Sequence, residues 1–396
     1  MKLVKLSLAA IVAAGALTSV ASAASLEEAI KNVDVTGYAR YRFDSTNEGT
    51  KSTEAKHRFT SDVDFKSALD DNFFGVVGFR YDSRDTSGES VNAQTNVGSA
   101  DTSSGDGYSQ TFNVRQFYLG YTAGNTTVQA GRQVLGTFFT DDMVGTGLKV
   151  LNSDISGLTL AAVAFDNLQA DGDIGYKDYK TYNNNLYGVA AIGSYDPVSF
   201  QAWYASLTNI ADLYALDVTV GADLGDVYAA LQVQYAGSAI DNKVSSILDD
   251  ANFYAAEASV KAFGADASVG YVQFDSDAAS VISYEDQGSF IDAGEDLLNY
   301  TEFLGDNRYW FVTAGYTFDK VRVGADYVAG KADYKESSTG KIFTDRKESE
   351  VVARVDYKYS KKLNFKAWYS YISRDNVNGN GDKERDHLRF EARYNF

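Results

Sequence analysis

The sequence predicts an all-β fold, a transmembrane antiparallel β-barrel with short periplasmic turns and long extracellular loops. Three observations predict it. Apolar and polar side chains alternate in segment after segment, connections alternate between short and long, and the final segment, "LRFEARYNF", keeps its alternation to the terminal ring. A period of two is strand geometry with one face apart from the other. Turns at one end and long loops at the other are the habit of outer-membrane barrels.

The first element is an export signal. "MKLVKLSLAAIVAAGALTSVASA" carries Lys2 and Lys5, an apolar run from Leu6 to Leu17, and Ala21-Ser22-Ala23. That order of basic, apolar and small residues is a secretory signal peptide. Its apolar core of about 12–15 residues is short of the ~20 a spanning helix needs. Residues 1–23 are therefore expected to be cleaved, leaving a mature chain of 24–396. No later run is apolar enough for a transmembrane helix. Loss of the two leader lysines moves the net charge from −18 to −20. So acidic a chain is a poor partner for nucleic acid, which demands a basic face. It also suits anionic lipid headgroups badly. Cysteine is absent, so no disulfide or thiolate site exists, while 28 Tyr, 23 Phe, 34 Gly and a single Pro make a β composition. The mean hydropathy of −0.28 fits a barrel whose interior is wet.

Strand segments follow at 34–43, 57–67, 72–82, 113–123, 126–134, 144–151, 157–166, 185–195, 198–208, 212–221, 226–236, 251–261, 265–274, 308–318, 321–331, 347–358, 362–373 and 386–396, eighteen in all. In "DVTGYARYRF" Val35, Gly37, Ala39, Tyr41 and Phe43 share one face, and Thr36, Tyr38, Arg40 and Arg42 the other. "EVVARVDYKY", "KLNFKAWYSY" and "YWFVTAGYTF" repeat the pattern. Small residues occupy both faces of 126–134, 157–166 and 185–195, where parity is ambiguous. The links "ALDD", "GN", "DP", "AFG" and "DK" are short, whereas 44–56, 83–112, 167–184, 237–250, 275–307, 332–346 and 374–385 are mostly long and polar. Short links follow even strands and long ones follow odd strands, the link near 209–211 excepted. Both termini then emerge on the short-turn side, as an even strand count requires.

Closure explains the last strand. In hydrocarbon every backbone N–H and C=O needs a partner, so an open edge is not tolerated. The apolar face of 388–396 is expected to meet lipid, its charged face a water-filled lumen, and its backbone residues 34–43. A charge on the lipid face near the midplane costs roughly 2–4 kcal/mol, and the clean strands place none there. A secreted soluble all-β protein would need a second packed layer and predicts no alternation of link lengths.

"MKLVKLSLAA", "SLEEAIKNVDVTGYARYR", "VRQFYLGYT" and "VGTGLKVLNSDISGLTLAAVAFDN" resemble the Campylobacter-type major outer membrane protein, a porin family. The resemblance runs in blocks from residue 1 to about 166. It implies an eighteen-stranded, pore-forming homotrimer in outer-membrane lipid that passes small hydrophilic solutes and ions. The count of eighteen rests on it as well as on the segments. Barrels of 16–18 strands leave an aqueous channel. No segment of 100 or more residues precedes the first strand, which speaks against a plug domain and for a passive pore.

Inward parity places Arg40, Arg42, Arg58 and Arg80 on the channel wall, with Asp62, Asp64 and Lys66 among them. In porins of this kind the third loop folds inward; here "GTFFTDDMVG" would bring Asp141 and Asp142 to the constriction and set a field across it. The net acidity suggests weak cation selectivity. Arg115 and Arg132 lie nearby, but their parity points outward unless a bulge intervenes. The resemblance also suggests calcium near the constriction, for which Asp141, Asp142 and Asp166 are the nearest hard oxygen ligands; the spacing is not that of a calcium loop.

Other readings are weaker. His57 and His387, which closure places on nearby strands, could seat a hydrolase, but rim histidines are commoner, and no enzyme is expected. "GTGLKV" and "SGDGYS" lack the lysine context of a phosphate loop. Trp310 suits the outer aromatic girdle; Trp203 and Trp368 receive no functional account. The competing function is an adhesin or surface antigen whose long loops, 83–112 and 275–307, bind external ligands.

Overall fold

The computed structural model describes residues 33–49, 54–86, 108–168, 184–246, 248–277, 279–284, 288–298, 304–335, 342–375 and 383–396. The expected signal peptide, residues 1–23, lies outside them, as does most of the loop at 83–112. Eighteen antiparallel strands form one closed sheet in which each pairs with its sequence neighbours.

The strands are β1 (Asp34–Asn47), β2 (Glu54–Ala68), β3 (Phe73–Thr86), β4 (Tyr108–Ala123), β5 (Thr126–Val134), β6 (Val144–Asn152), β7 (Leu158–Leu168), β8 (Leu186–Tyr195) and β9 (Val198–Leu207). Then come β10 (Ala211–Asp223), β11 (Val227–Ile240), β12 (Ala251–Ala262), β13 (Ala265–Ser276), β14 (Leu304–Phe318), β15 (Val321–Lys335), β16 (Ile342–Lys358), β17 (Leu363–Arg374) and β18 (Lys383–Asn395). Every expected segment is a strand. Several, among them β1–β4 and β14–β16, run a few residues further at the loop end, where β-ladders continue beyond the apolar belt.

Closure joins β1 to β18 with Tyr41 opposite Ala392 and Phe43 opposite Phe390. Gly37 and Phe396 exchange both backbone hydrogen bonds, 3.3 and 3.1 Å, so the last residue completes the seam. Aromatic and aliphatic side chains such as Phe59, Tyr204, Trp310, Tyr327 and Phe390 stand exposed on the outer face. That face suits hydrocarbon, with no packed layer over it. The turn at 208–210 is the one short link on the loop side foreseen from the sequence.

The interior departs from a uniformly wet lumen. Many inward side chains of β7–β14, among them Phe165, Leu186, Trp203, Leu213, Phe253, Phe274 and Phe311, are apolar and buried. The β5–β6 connection (135–143) and described parts of the β13–β14 connection (277–303) fold in and pack on them. Phe138 lies 4.9 Å from Phe290, which lies 4.7 Å from Phe253; Phe139 meets Tyr284 at 5.9 Å. Backbone bonds lock the two connections together, Tyr284 N to Phe139 O and Ser289 N to Phe138 O, each 2.8 Å. Gly288, at φ +53, makes the approach possible, since a Cβ there would sit 2.5 Å from Phe138 O. The expectation that 275–307 is a surface loop free to bind external ligands is corrected: its residues 281–284 and 290–291 are buried inside the barrel. Ambiguous parity in β5, β7 and β8 has the same cause, because strands covered on the inside as well as by lipid need apolar residues on both faces.

Candidate functional site

The remaining luminal wall, β15–β18 and β1–β4, carries most of the charge. Alternation turns Arg40 and Arg42 inward on β1, Arg58, Asp62 and Asp64 on β2, and Arg80 on β3, as expected, and Asp82 on β3 with them. Antiparallel register then sets basic against acidic partners. Arg42 bonds Glu391 at 2.9 Å across the seam. Arg58 grips Asp82 with two bonds, 2.8 and 2.9 Å, and Arg80 grips Asp62 with two, 2.7 and 2.9 Å. Such forks are the stronger form of a charged hydrogen bond. Asp64 accepts from Gln116 at 2.9 Å.

Arg115 fulfils the bulge condition. The β3–β4 register slips between Gly78 and Phe79, leaving Arg115 as the extra residue of β4. Its guanidinium turns inward to Asp62 at 2.6 Å and to Asp142 at 3.0 Å. Arg132 keeps its outward parity, opposite Phe117 on β4 and Thr146 on β6. Sequence could not locate the bulge, since neither Arg115 nor its neighbours break the composition of the strand.

The β5–β6 connection reaches this wall. Asp142 bonds Arg80 at 2.5 Å, so the loop is fastened to the basic wall and does not face it across water. Asp141 beside it is exposed. Asp166 is the extra residue at a second bulge, between Thr146 and Gly147 of the β6–β7 register, and is exposed. Among the described residues no group of three carboxylate or imidazole side chains could hold a metal ion. The three acids considered for calcium thus do not gather into a ligand set.

A second anchor was not foreseen. Glu350, inward on β16 and fully buried, accepts from the backbone N–H groups of Glu295, Asp296 and Leu297 at 3.0–3.1 Å and from the Ser370 hydroxyl at 2.6 Å. Gly294, at φ +75, permits this, as a Cβ would fall 2.2 Å from Glu350 Oε2. Arg354 bonds Glu295 at 2.6 Å and also Asp326. Asp296 meets His387 Nδ1 at 2.9 Å, and His387 Nε2 meets Asp44 at 3.0 Å. Burial alone would raise the Asp296 carboxyl, but the His387 hydrogen bond and charge, with Arg385 beyond, hold it below its usual range. The β13–β14 connection is therefore pinned across the lumen from the apolar wall to the polar one. The only advance signal was apolar content unusual for a surface loop, in "VISY" and "SFIDAGEDLL".

The two histidines occupy opposite faces of the wall. His57 lies on the outer face and bonds the Tyr41 hydroxyl at 2.7 Å. His387 is luminal, edge-on to Trp368 at 4.6 Å, and its register neighbour Ser370 gives its hydroxyl to Glu350. Trp368 also supports the Arg389 guanidinium 5.0 Å above its ring. Trp203 is buried in the apolar wall and donates to Gln201 at 3.1 Å.

Comparison with known proteins agrees with this architecture. A BenF-like porin from Pseudomonas fluorescens Pf-5 superposes with a TM-score of 0.73 at 15% identity, over 92% of this chain and 99% of that one. OccK9 (OpdG) of Pseudomonas aeruginosa gives 0.72 at 13%, over 93% and 100%, and OccAB4 of Acinetobacter baumannii 0.70 at 13%, over 92% and 98%. A search of curated proteins returns no match. The family model of the Campylobacter major outer membrane protein matches residues 1–396, and the chain, a porin of the outer membrane, belongs to that family.

Proposed function

We propose that the chain works as a homotrimeric general diffusion channel, weakly cation-selective, for small hydrophilic solutes and ions. The observation that carries the reading is the strip of charged side chains on β15–β18 and β1–β4, set against an opposite wall closed by apolar loops. Solute passes along the charged strip, where paired guanidinium and carboxylate groups replace part of its hydration. The narrow part is lined by Arg42, Arg58, Arg80, Arg115, Asp62, Asp64 and the loop acids Asp141 and Asp142, with Arg40 below it toward the periplasmic mouth. Most luminal arginines are matched by acids, so the excess negative charge of the chain tips selectivity toward cations only slightly. No catalytic role is assigned to any side chain.

Planar-bilayer recording tests the reading. It predicts stepwise openings, in threes where the trimer inserts as a unit, and a reversal potential on the cation side in a potassium chloride gradient. Changing Asp141 and Asp142 to Lys moves that potential toward anions. Purified, folded protein without conductance would overturn the channel, and an unmoved potential the role of the two acids.

A further inference from the structure

Two luminal arginines stand outside the pairing just described. Arg40 on β1 and Arg393 on β18 are direct register partners, two residues below the Arg42–Glu391 pair and three above the Gly37–Phe396 seam, near the periplasmic mouth. Like charges directly opposite each other destabilise a sheet unless something lies between or over them. Here both are stacked on one ring: the Arg393 guanidinium lies 4.0 Å from the centroid of Tyr38 and that of Arg40 5.6 Å. Stacking holds the two planar forks over the same spot. Arg393 spends its Nε on Asn395 at 2.9 Å. Arg40 Nε is buried without a partner. Among the described residues neither guanidinium makes an ion pair. The nearest acid along the strand, Glu391, gives its Oε2 to Arg42. Lys366 of β17 faces Glu391 from the other side and adds to the local positive charge.

We propose that Arg40 and Arg393, ordered on Tyr38, form a docking point for the oxyanion group of a small solute, a carboxylate or a phosphate, near the periplasmic mouth. Two parallel N–H donors on a preset plane match such a group in both geometry and charge. Bound there, the anion supplies the counter-charge that the sheet does not, and relieves the cross-strand repulsion. An acidic protein thus holds a basic stopping point, and passage of oxyanions through it becomes saturable while chloride passage stays proportional to concentration. The inference rests on the water-filled channel of the preceding section.

Single-channel conductance of the full chain, measured against concentration in sodium chloride, sodium acetate and sodium phosphate, tests it. Chloride conductance shows that a pore is present in every variant, which separates failure of this inference from failure of the channel reading. Saturation in acetate, in phosphate or in both supports the docking point and names its chemistry. In the Arg40→Gln, Arg393→Gln double variant the half-saturation concentration rises about tenfold or saturation disappears, as expected for loss of a forked, charge-assisted contact. Arg40→Lys keeps the charge but not the fork and falls between. Linear conductance of the unaltered protein in both oxyanions, or saturation unchanged in the double variant, overturns the proposal.

Discussion

The two halves of the barrel wall obey one rule on their outer faces and opposite rules within. Across β15–β18 and β1–β4 many inward residues are charged, and most of these pair laterally, Arg42 with Glu391 and Arg58 with Asp82. Across β7–β14 the inward residues are mostly apolar, and the connection at 135–143 and the described parts of the β13–β14 connection cover them. Burial of apolar area holds the second half together, while charged hydrogen bonds facing water line the first. The lumen of a barrel is therefore no single environment. Its polarity follows what lies against each strand, water or returning chain.

Removing apolar contacts from the covered half has the largest expected effect. Phe290→Ala deletes a ring wedged between Phe138 and Phe253 and costs about 3–5 kcal/mol of loop docking, by analogy with buried aromatic truncations. Conductance is expected to rise, with flicker from a released loop, while Arg58→Ala on the polar wall leaves loop docking intact. Equal effects of the two would erase the distinction between the halves.

Next in size is the anchor where the halves meet. Glu350→Ala leaves the N–H groups of residues 295–297 without their acceptor, at about 1–3 kcal/mol for each one that water does not satisfy. Limited proteolysis of the reconstituted protein should cut the β13–β14 connection in this variant and not in the parent.

Acid produces a smaller effect at the same loop. The Asp296 carboxyl is depressed in the folded protein, so the stability it contributes is complete above its unfolded value of about 3.9 and is lost as pH falls through the lower folded one. Conductance noise should therefore grow below about pH 4, in the ordinary carboxylate range. In Asp296→Asn that growth should shrink, and an identical acid response would remove Asp296 from the account.

The smallest expected change comes from Trp368→Phe on the polar wall. It keeps an apolar face under Arg389 and an edge against His387, and should shift conductance by less than the preceding variants.

The contrast between halves also marks what was legible in the sequence. Outward alternation in β1, β14, β16, β17 and β18 was plain because lipid tolerates no charge, and those strands, with the closure, could be read directly. Inward arginines and aspartates of β1–β3 were readable for the same reason. Three things were not. A bulge depends on pairing geometry, so the inward turn of Arg115 showed only once β3 and β4 were aligned. The ion pairs of Asp142 required knowing how far the β5–β6 connection enters. The folding inward of residues 279–284 and 288–298 was hinted at by Phe290, Ile291 and Leu297, apolar residues in a connection otherwise taken for a solvated loop.

Because the chain contains no cysteine, single thiols can report directly on what each half of the wall faces. Lys366→Cys and Arg58→Cys on the polar wall are compared with Ala205→Cys and Ala236→Cys on the covered wall, using a charged, water-soluble thiol reagent during bilayer recording. The account predicts that the first two react and lower the conductance, and that the second two, fully buried, do not. Equal reaction at all four positions would mean that water reaches the whole circumference, and would contradict the division of the lumen.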